Sequence, residues 1–575
     1  MLAKTLFRVV LAGALAHSIG AIRSPNELHA MQRDAQARRA KALTARSSVS
    51  DASPREVLNE PKRSTVPFSN PEAQKYHVDG KKIPDVDFDA GDSWAGLMPI
   101  SAKKGEKQKL FFWFWPSKIP QVDDLVLWTN GGPGCSSLIG LLEENGPFKW
   151  PPGTAKPIPN QWSWTNLTNV LWVEQPVGTG FSQGTPDIHD DDELAAQLAG
   201  FLVQFLEVFK ELKGKNFYLS GESYAGYYVP YIANYLYEHP GLVPLNTKGI
   251  WITDPTVSYD IVTEYIPAYK FAEKWKKVFG LNDSYLQTLK SASDSCGFTD
   301  YAATYATYPP RPGPFPLPSQ AYLPGSIPNS VNITSECLIQ DDIYNATLMV
   351  NPTFNIYRIF DVWPPRWDVL GTLGSSPNSQ SPTYFARKEV QNAIHAPNIE
   401  WNECTRDVFV NGQDNSVPSM LSVMPNVIEK SERTVVMHGL LDFLLIAEGT
   451  RIAIQNMTWG GLQGFQTPIV EESFVIKGFG AIGNLHQERN LTYVEVNLAG
   501  HMMPEYSPWA AYKTLWYLLG RGSLTSDEID DGLYPNNYQF FGQWSPPPPE
   551  HHQNRFRGMT APYRLWLPWA DSARH

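Results

Sequence analysis

A serine hydroxyl becomes a nucleophile when a tight turn exposes it and a base takes its proton, and Ser223 has the setting for both. It lies in Phe217-Tyr218-Leu219-Ser220-Gly221-Glu222-Ser223-Tyr224-Ala225-Gly226, where a β-prone run enters a small-residue turn. A helix-like run follows from Tyr227 to Glu238. This is the layout of a nucleophile elbow, a strained strand-to-helix turn that lifts the hydroxyl clear of the sheet. A bulky Cβ two residues to either side would strike adjacent strands, and Gly221 and Ala225 avoid that. Short Gly-Ser patterns also occur in ordinary turns, so the weight rests on what accompanies this one.

The hydroxyl needs a base, and the base needs a third group to orient it. Residues 433–443 form a β-branched strand that breaks at Gly439 and delivers Asp442. Residues 491–504 alternate as a strand and end in Gly500-His501. Acid and imidazole therefore fall just past strand C-termini, where open α/β sheets gather ligands. The order Ser, Asp, His is that of α/β hydrolases. Taken singly, Asp442 reads as a turn residue, and His438 and His395 as satisfied structural histidines. Taken jointly, the order and the strand-end positions favour catalysis.

A fourth piece is the strand Leu125-Val126-Leu127-Trp128 running into Thr129-Asn130-Gly131-Gly132-Pro133-Gly134-Cys135-Ser136-Ser137. Exposed N–H groups of such a glycine loop can face the oxyanion of acyl transfer. No Gly-Lys-Ser/Thr follows, which excludes a phosphate loop. The plain alternative is a Gly-Pro turn.

Trp128–Ser137, Gly221–Gly226 and Ala499–Met502 resemble, in order, the three signature blocks of serine carboxypeptidases of the carboxypeptidase Y type. The likeness extends over roughly residues 70–520. It implies a triad of Ser223, Asp442 and His501, with the oxyanion on the N–H groups of Gly132 and Tyr224. It implies further that Glu144 and Glu222 share a proton and, with Trp128, Asn130 and Gly131, bind the free C-terminal carboxylate of a peptide. Two close carboxyls cannot both ionise cheaply, so one keeps a proton and can donate it to that carboxylate. An acidic optimum and a requirement for an unblocked C-terminus follow. Glu143 competes for the place of Glu144, and motif alignment favours Glu144. Related sequences carry Gly-Asp-x-Asp at the acid, whereas this chain has Gly439-Leu440-Leu441-Asp442. Asp442 is thus the only sensible acid there, without the polar neighbour at Leu440. Four cysteines permit three pairings. The resemblance implies Cys135–Cys404, leaving Cys296–Cys337, and the absence of Cys-x-x-Cys spacing speaks against zinc.

The elements that must hold these groups are legible in outline. Strands are expected at Leu110–Trp115, Asp124–Trp128, Val170–Glu174, Phe217–Leu219, Gly249–Thr253, Thr434–Met437, Phe474–Ile476 and Tyr493–Asn497. A helix over Glu193–Lys210 places Leu194, Leu198, Phe201, Leu202, Phe205 and Phe209 on one face, which is core packing. Alternating strands and helices predict an α/β-hydrolase fold with a mostly parallel central sheet. The rhythm fails over about 255–380, where the proline run of 309–318 admits neither helix nor interior strand. That region is expected to be a cap or lid insertion, with Tyr301, Tyr305 and Tyr308 packing it rather than lining a pocket.

The predicted organisation is a signal peptide over 1–21, a propeptide or flexible leader over 22–65, the catalytic domain over 66–522 and a C-terminal extension over 523–575. Lys4 and Arg8 before the apolar stretch Val9–Ala16 give the first of these, and that stretch is too short for a membrane span. A basic nucleic-acid arm is the rival reading of the leader, and secretion disfavours it. The C-terminus lacks the tail of a lipid-anchor signal. Six sequons, at Asn166, Asn282, Asn332, Asn345, Asn456 and Asn490, fit passage through the secretory route to the vacuole or the exterior. A hydrophobic content of 42% supplies ample core, and a net charge of −11 argues against polyanion partners. The His551-His552 pair in the tail reads as a solvated linker rather than a metal site. No metal or organic cofactor is expected, and the partners are peptides or proteins with a free C-terminus. The first rival function is acyl transfer to an alcohol or amine on the same scaffold. The second is a catalytically silent binding protein, disfavoured by the presence of all three triad members.

Overall fold

The computed structural model describes residues 68–525, apart from 325, 327–331, 362–368, 371–382 and 477–478. The expected signal peptide, the leader and residues 526–575 of the expected extension lie outside the described residues.

The frame is one eleven-stranded sheet. In chain order its strands are β1 (His77–Val78), β2 (Ser93–Pro99), β3 (Lys109–Trp115), β4 (Asp124–Thr129), β5 (Asn169–Glu174) and β6 (Asn216–Glu222). They continue as β7 (Asn246–Thr253), β8 (Arg433–Gly439), β9 (Val470–Ile476), β10 (Gly480–Glu488) and β11 (Leu491–Val496). Across the sheet the order is β1-β2-β3-β5-β4-β6-β7-β8-β11-β10-β9. The middle of it, β5-β4-β6-β7-β8-β11, is parallel throughout. Both flanks are antiparallel. Central parallel strands are covered on both faces, which explains why β4 and β5 read as largely apolar runs and are buried almost end to end.

All eight expected strands are present. The sequence reading missed β1, β2 and β10, which lie toward the antiparallel flanks. Strand β2 is punctuated by Gly96 and Pro99, and β10 by Gly480 and Gly483. Pairing itself demands Gly483, because a Cβ there would lie 1.8 Å from the Glu495 carbonyl oxygen. A residue that weakens strand propensity is thus required by the strand's neighbour.

Helix α1 spans Asp191–Val208, two residues earlier than expected. The Asp190 side chain accepts the Glu193 N–H and caps it, and Asp191, Asp192 and Glu193 fill the positive first turn. Its stripe is buried on the sheet, with the Phe205 ring 5.2 Å from that of Phe112. Helix α2 (Ala225–Glu238) follows the elbow.

Residues 261–359 supply most of a second apolar cluster, joined by Leu441, Phe443–Ile446 and Ile452 of the main body. Helices α3 (Ile266–Lys274), α4 (Asp283–Ser295), α5 (Phe298–Tyr305) and α6 (Ile339–Val350) build it. The Cys296–Cys337 disulfide staples the end of α4 to the turn before α6. Tyr301 and Tyr305 touch at 4.6 Å between ring centroids, and Tyr305 stacks on Phe315 at 4.3 Å. The proline run is tied to the body where Gln463 both accepts from the Gly313 N–H and donates to its carbonyl.

Candidate active site

The elbow sits at the end of β6, in mid-sheet. Ser223 has φ 64°, a left-handed conformation that non-glycine residues rarely adopt. Three backbone hydrogen bonds hold it there. Its N–H donates to Thr253 O at 3.0 Å, and its carbonyl accepts from Gly226 N at 2.9 Å and Thr256 N at 3.0 Å. The need for small neighbours is visible atom by atom. A Cβ on Gly221 would lie 2.5 Å from both the Thr129 carbonyl oxygen and the Ala225 Cβ. One on Gly226 would lie 2.3 Å from Thr256 O.

Asp442 follows β8 and His501 follows β11, and the two strands are adjacent partners. His501 Nδ1 meets Asp442 Oδ2 at 2.7 Å. The other oxygen of Asp442 accepts the N–H groups of Leu444 at 2.8 Å and Leu445 at 3.2 Å. Both side chains are buried. Burial pushes the Asp442 carboxyl up and lowers His501 to about 4. An imidazole so lowered stays unprotonated in mildly acidic solution and can act as a base there. Ser223 keeps a small exposed surface, and its hydroxyl makes no hydrogen bond among the described residues. His438, by contrast, is the satisfied core histidine the sequence suggested: its ring spans Leu445 O at 2.8 Å and Thr450 Oγ1 at 3.2 Å. His395 bonds the carbonyl of His77.

The glycine loop after β4 runs against the elbow. A Cβ on Gly131 would come within 2.3 Å of Tyr224 N and 2.7 Å of Glu222 O, so only glycine permits this approach. Gly132 has φ 113°. Among the described residues, neither Gly132 N–H nor Tyr224 N–H is given to another group. The Cys135–Cys404 disulfide, with a Cα separation of 3.9 Å, fixes the loop from the far side. Ser136 N to Glu403 O and Thr405 N to Gly134 O, each 2.8 Å, tie it down further.

Beside the serine, Glu222 and Glu144 meet over one amide. Asn130 Nδ2 lies 3.4 Å from Glu144 Oε1 and 3.3 Å from Glu222 Oε1. The amide is oriented because its oxygen accepts from Trp128 Nε1 at 2.8 Å and Gly140 N at 3.1 Å. Gly140–Asn145 forms a wide π-type turn, which sends Glu144 to this pair. Neighbouring Glu143 is buried too but shares no bond with Asn130. The second oxygens, Glu144 Oε2 and Glu222 Oε2, are buried without a protein donor among the described residues. Burial raises Glu144 to about 7. Burial and the adjacent Glu144 raise Glu222 well above its ordinary range.

Sequence reasoning missed three contributors. Asp254, ending the strand between those of Ser223 and Asp442, is buried beside the acid. The Tyr357 carbonyl accepts the His501 N–H at 2.7 Å, and its ring lies 5.4 Å from the imidazole. Asp414 accepts the Tyr224 hydroxyl at 2.5 Å and stands beside buried Asp191. Only for Asp254 was there a signal, its place at a strand end. Of the sequon asparagines, Asn282 and Asn490 are exposed and the other four partly so.

A parallel-centred sheet with an elbow serine, then an acid and a histidine from later strand ends, defines an α/β hydrolase. Consistent with that class, the fold matches the solved prohormone-processing carboxypeptidase Kex1(delta)p of Saccharomyces cerevisiae. The TM-score is 0.61 at 24% identity, covering 78% of this chain and 96% of that one. Residues 84–520 match the family model described as serine carboxypeptidase, and the chain belongs to that family. A "probable serine carboxypeptidase" of Arthroderma benhamiae is 45% identical over 484 residues, covering 80% of this chain and 89% of that protein. "Serine-type carboxypeptidase F" of Aspergillus niger is 38% identical over 484 residues, covering 79% and 88%. The chain is accordingly a serine-type carboxypeptidase, a hydrolase, and acyl transfer is not favoured. No described helix is long and apolar enough to cross a membrane.

Proposed function

We propose that the protein removes amino acids from the free C-termini of peptides and proteins in acidic surroundings, through an acyl-enzyme on Ser223. His501, its Nδ1–H held by Asp442, accepts the Ser223 proton as Oγ attacks the last peptide carbonyl. The oxyanion rests on the Gly132 and Tyr224 amides. His501 then protonates the departing amine, and water, activated by the same imidazole, releases the acyl group. Glu144 and Glu222, with Asn130, Trp128 and the Gly131 backbone, receive the substrate carboxylate.

The observation that carries the reading is the buried carboxyl pair one residue from the nucleophile. An ordinary esterase has no use for two acids without a cation at that place, whereas protonated acids can donate to a carboxylate. Residues 261–359 form the expected cap in this reading. The two disulfides accord with an oxidising route, and glycosylation at the sequons and a secreted or vacuolar destination follow from it. The test is a blocked dipeptide supplied with a free and with an amidated C-terminus. Release of the terminal amino acid from the free form alone, abolished in Ser223→Ala, is expected. Equal cleavage of both forms refutes the recognition scheme.

A further inference from the structure

We propose that Asp254 is a positioning residue of the catalytic centre, a neutral acid that hydrogen-bonds the Asp442 carboxylate and locks the turn carrying it. The inference rests on the triad reading above. In the sheet, β7 lies between β6, which ends at the serine, and β8, which leads to the acid. The first residue beyond β7 is therefore delivered behind the catalytic groups, and that residue is Asp254. It is fully buried. Its φ of 44° is left-handed, and its N–H donates to Met437 O of β8 at 2.9 Å. Its Oδ1 accepts the N–H of Gly439 at 2.7 Å, and its Oδ2 accepts the Thr253 hydroxyl at 2.7 Å. Gly439 is the hinge between β8 and Asp442, and a Cβ there would lie 2.3 Å from Gly500 O, next to His501. One carboxyl thus grips the turns that carry the acid and abut the base.

Carboxylate oxygens of Asp254 and Asp442 and a ring nitrogen of His438 lie within 4.8 Å of one another. His438 brings no charge to this group. Its Nε2 donates to Leu445 O, so Nδ1 is the acceptor for the Thr450 hydroxyl. Burial lowers this imidazole to about 4. The other titratable groups that face Asp254 are Asp442, His501 and Glu222. Two carboxyls in one buried space without a cation hold one charge between them. Asp442 has the donors that stabilise an anion, namely Leu444 N, Leu445 N and His501 Nδ1. Asp254 has two, the Gly439 N–H and the Thr253 hydroxyl, against three for Asp442. The charge therefore belongs to Asp442 and the proton to Asp254, whose O–H points the Asp442 carboxylate at His501. Leu440 and Leu441, which precede Asp442 in sequence, offer no side-chain donor for this task.

Asparagine mimics the neutral acid, since its N–H can donate to Asp442 while its oxygen still accepts from Gly439. Alanine does neither. Asp254→Ala is expected to lower kcat about 10- to 100-fold, the range set by losing a hydrogen bond to a charged group, with KM changed less than about twofold. Asp254→Asn is expected to recover kcat to within about fivefold of wild type and to leave the acid limb of the kcat–pH profile in place. A folded alanine variant with wild-type kcat overturns the proposal. So does an asparagine variant as impaired as alanine, or one whose acid limb moves down, because that movement means Asp254 was an anion supporting the His501 cation. If the alanine variant does not fold, the asparagine variant decides alone. Each comparison is made against an active wild type whose loss in Ser223→Ala tests the triad itself, so the two readings fail separately.

Discussion

Replacing both members of the carboxyl pair, as Glu144→Gln/Glu222→Gln, isolates the role assigned to their protons. In the wild type burial together with the neighbouring Glu144 pushes Glu222 well above the usual carboxyl range, and Glu144 keeps its proton below about pH 7, where burial holds it. Above it the pair loses its first proton and presents a negative charge to the substrate carboxylate. Binding then weakens about tenfold per pH unit, so kcat/KM at pH 9 should stand about 100-fold below its plateau. His501, lowered to about 4, sets the opposite limb. The profile is a bell bounded near 4 and 7, with the alkaline side carried by KM. Glutamine cannot ionise, and its amide N–H groups can still face a carboxylate. The double variant should keep its acid limb and lose most of the alkaline one. A single Glu222→Gln change is not sufficient, because Glu144 remains to ionise. The assay is the initial rate on a blocked dipeptide from pH 4 to 9, with kcat and KM separated at each point. An undiminished hundredfold alkaline fall in the double variant, or a wild-type fall residing in kcat, refutes the reasoning.

Gly131→Ala should cut kcat by about 100-fold or more, because its Cβ would lie 2.3 Å from the Tyr224 amide and displace the proposed oxyanion donor; steady-state kinetics on the folded variant check this. Arg451→Met strips the guanidinium from buried Glu495, which it holds at 2.5 Å, and should cost about 3–5 kcal/mol in urea unfolding. Thermal stability should be greater at pH 5 than at pH 8. Burial raises the carboxyls of Glu144 and Glu174 to about 7, and those of Asp191, Glu222, Asp254 and Glu264 rise as well. A raised carboxyl stabilises fully below its unfolded value of about 4 and loses that contribution as pH climbs through the folded one. His438 and His501, lowered to about 4, act in the opposite sense but are fewer. A melting temperature that increases between pH 5 and 8 contradicts this account.

The core strands and the strand-end placement of Ser223, Asp442 and His501 were legible because each rests on local chemistry. An apolar run such as Leu125–Trp128 has few alternatives to a buried strand, and an elbow demands small residues at fixed offsets. What escaped depends on partners remote in sequence. Asp254 in Thr253-Asp254-Pro255 reads as a turn until β6 and β8 are known to flank it. The preference for Glu144 over Glu143 came from motif alignment and not from periodicity, since it turns on the register of a π-type turn that no 3.6-residue pattern supplies. Strand β10 is hidden by its glycines, of which Gly483 is required by the neighbouring strand. The start of α1 moved because Asp190 outcompetes the apolar stripe as the boundary signal: a cap fixes where a helix begins, whereas a stripe fixes only which face is buried.

The protein holds buried carboxylates in two ways, and the contrast explains the pH behaviour proposed for the site. Burial works against the Glu495 carboxylate, but Arg451 and Asn484 outweigh it and keep that group below the usual range. A cation there serves stability and asks nothing of pH. Around the elbow, Glu144, Glu222, Asp254 and Asp442 are packed together, and the basic group among those that shift them is the His501 imidazole. Protons take the place of the guanidinium. An arginine in the carboxylate pocket would grip a peptide C-terminus at any physiological pH, since its charge persists beyond pH 12. A pair of acids grips it only while protonated. In the proposed scheme the substitution of protons for a fixed charge makes terminal recognition conditional, with the condition set near pH 7 by the burial of Glu144.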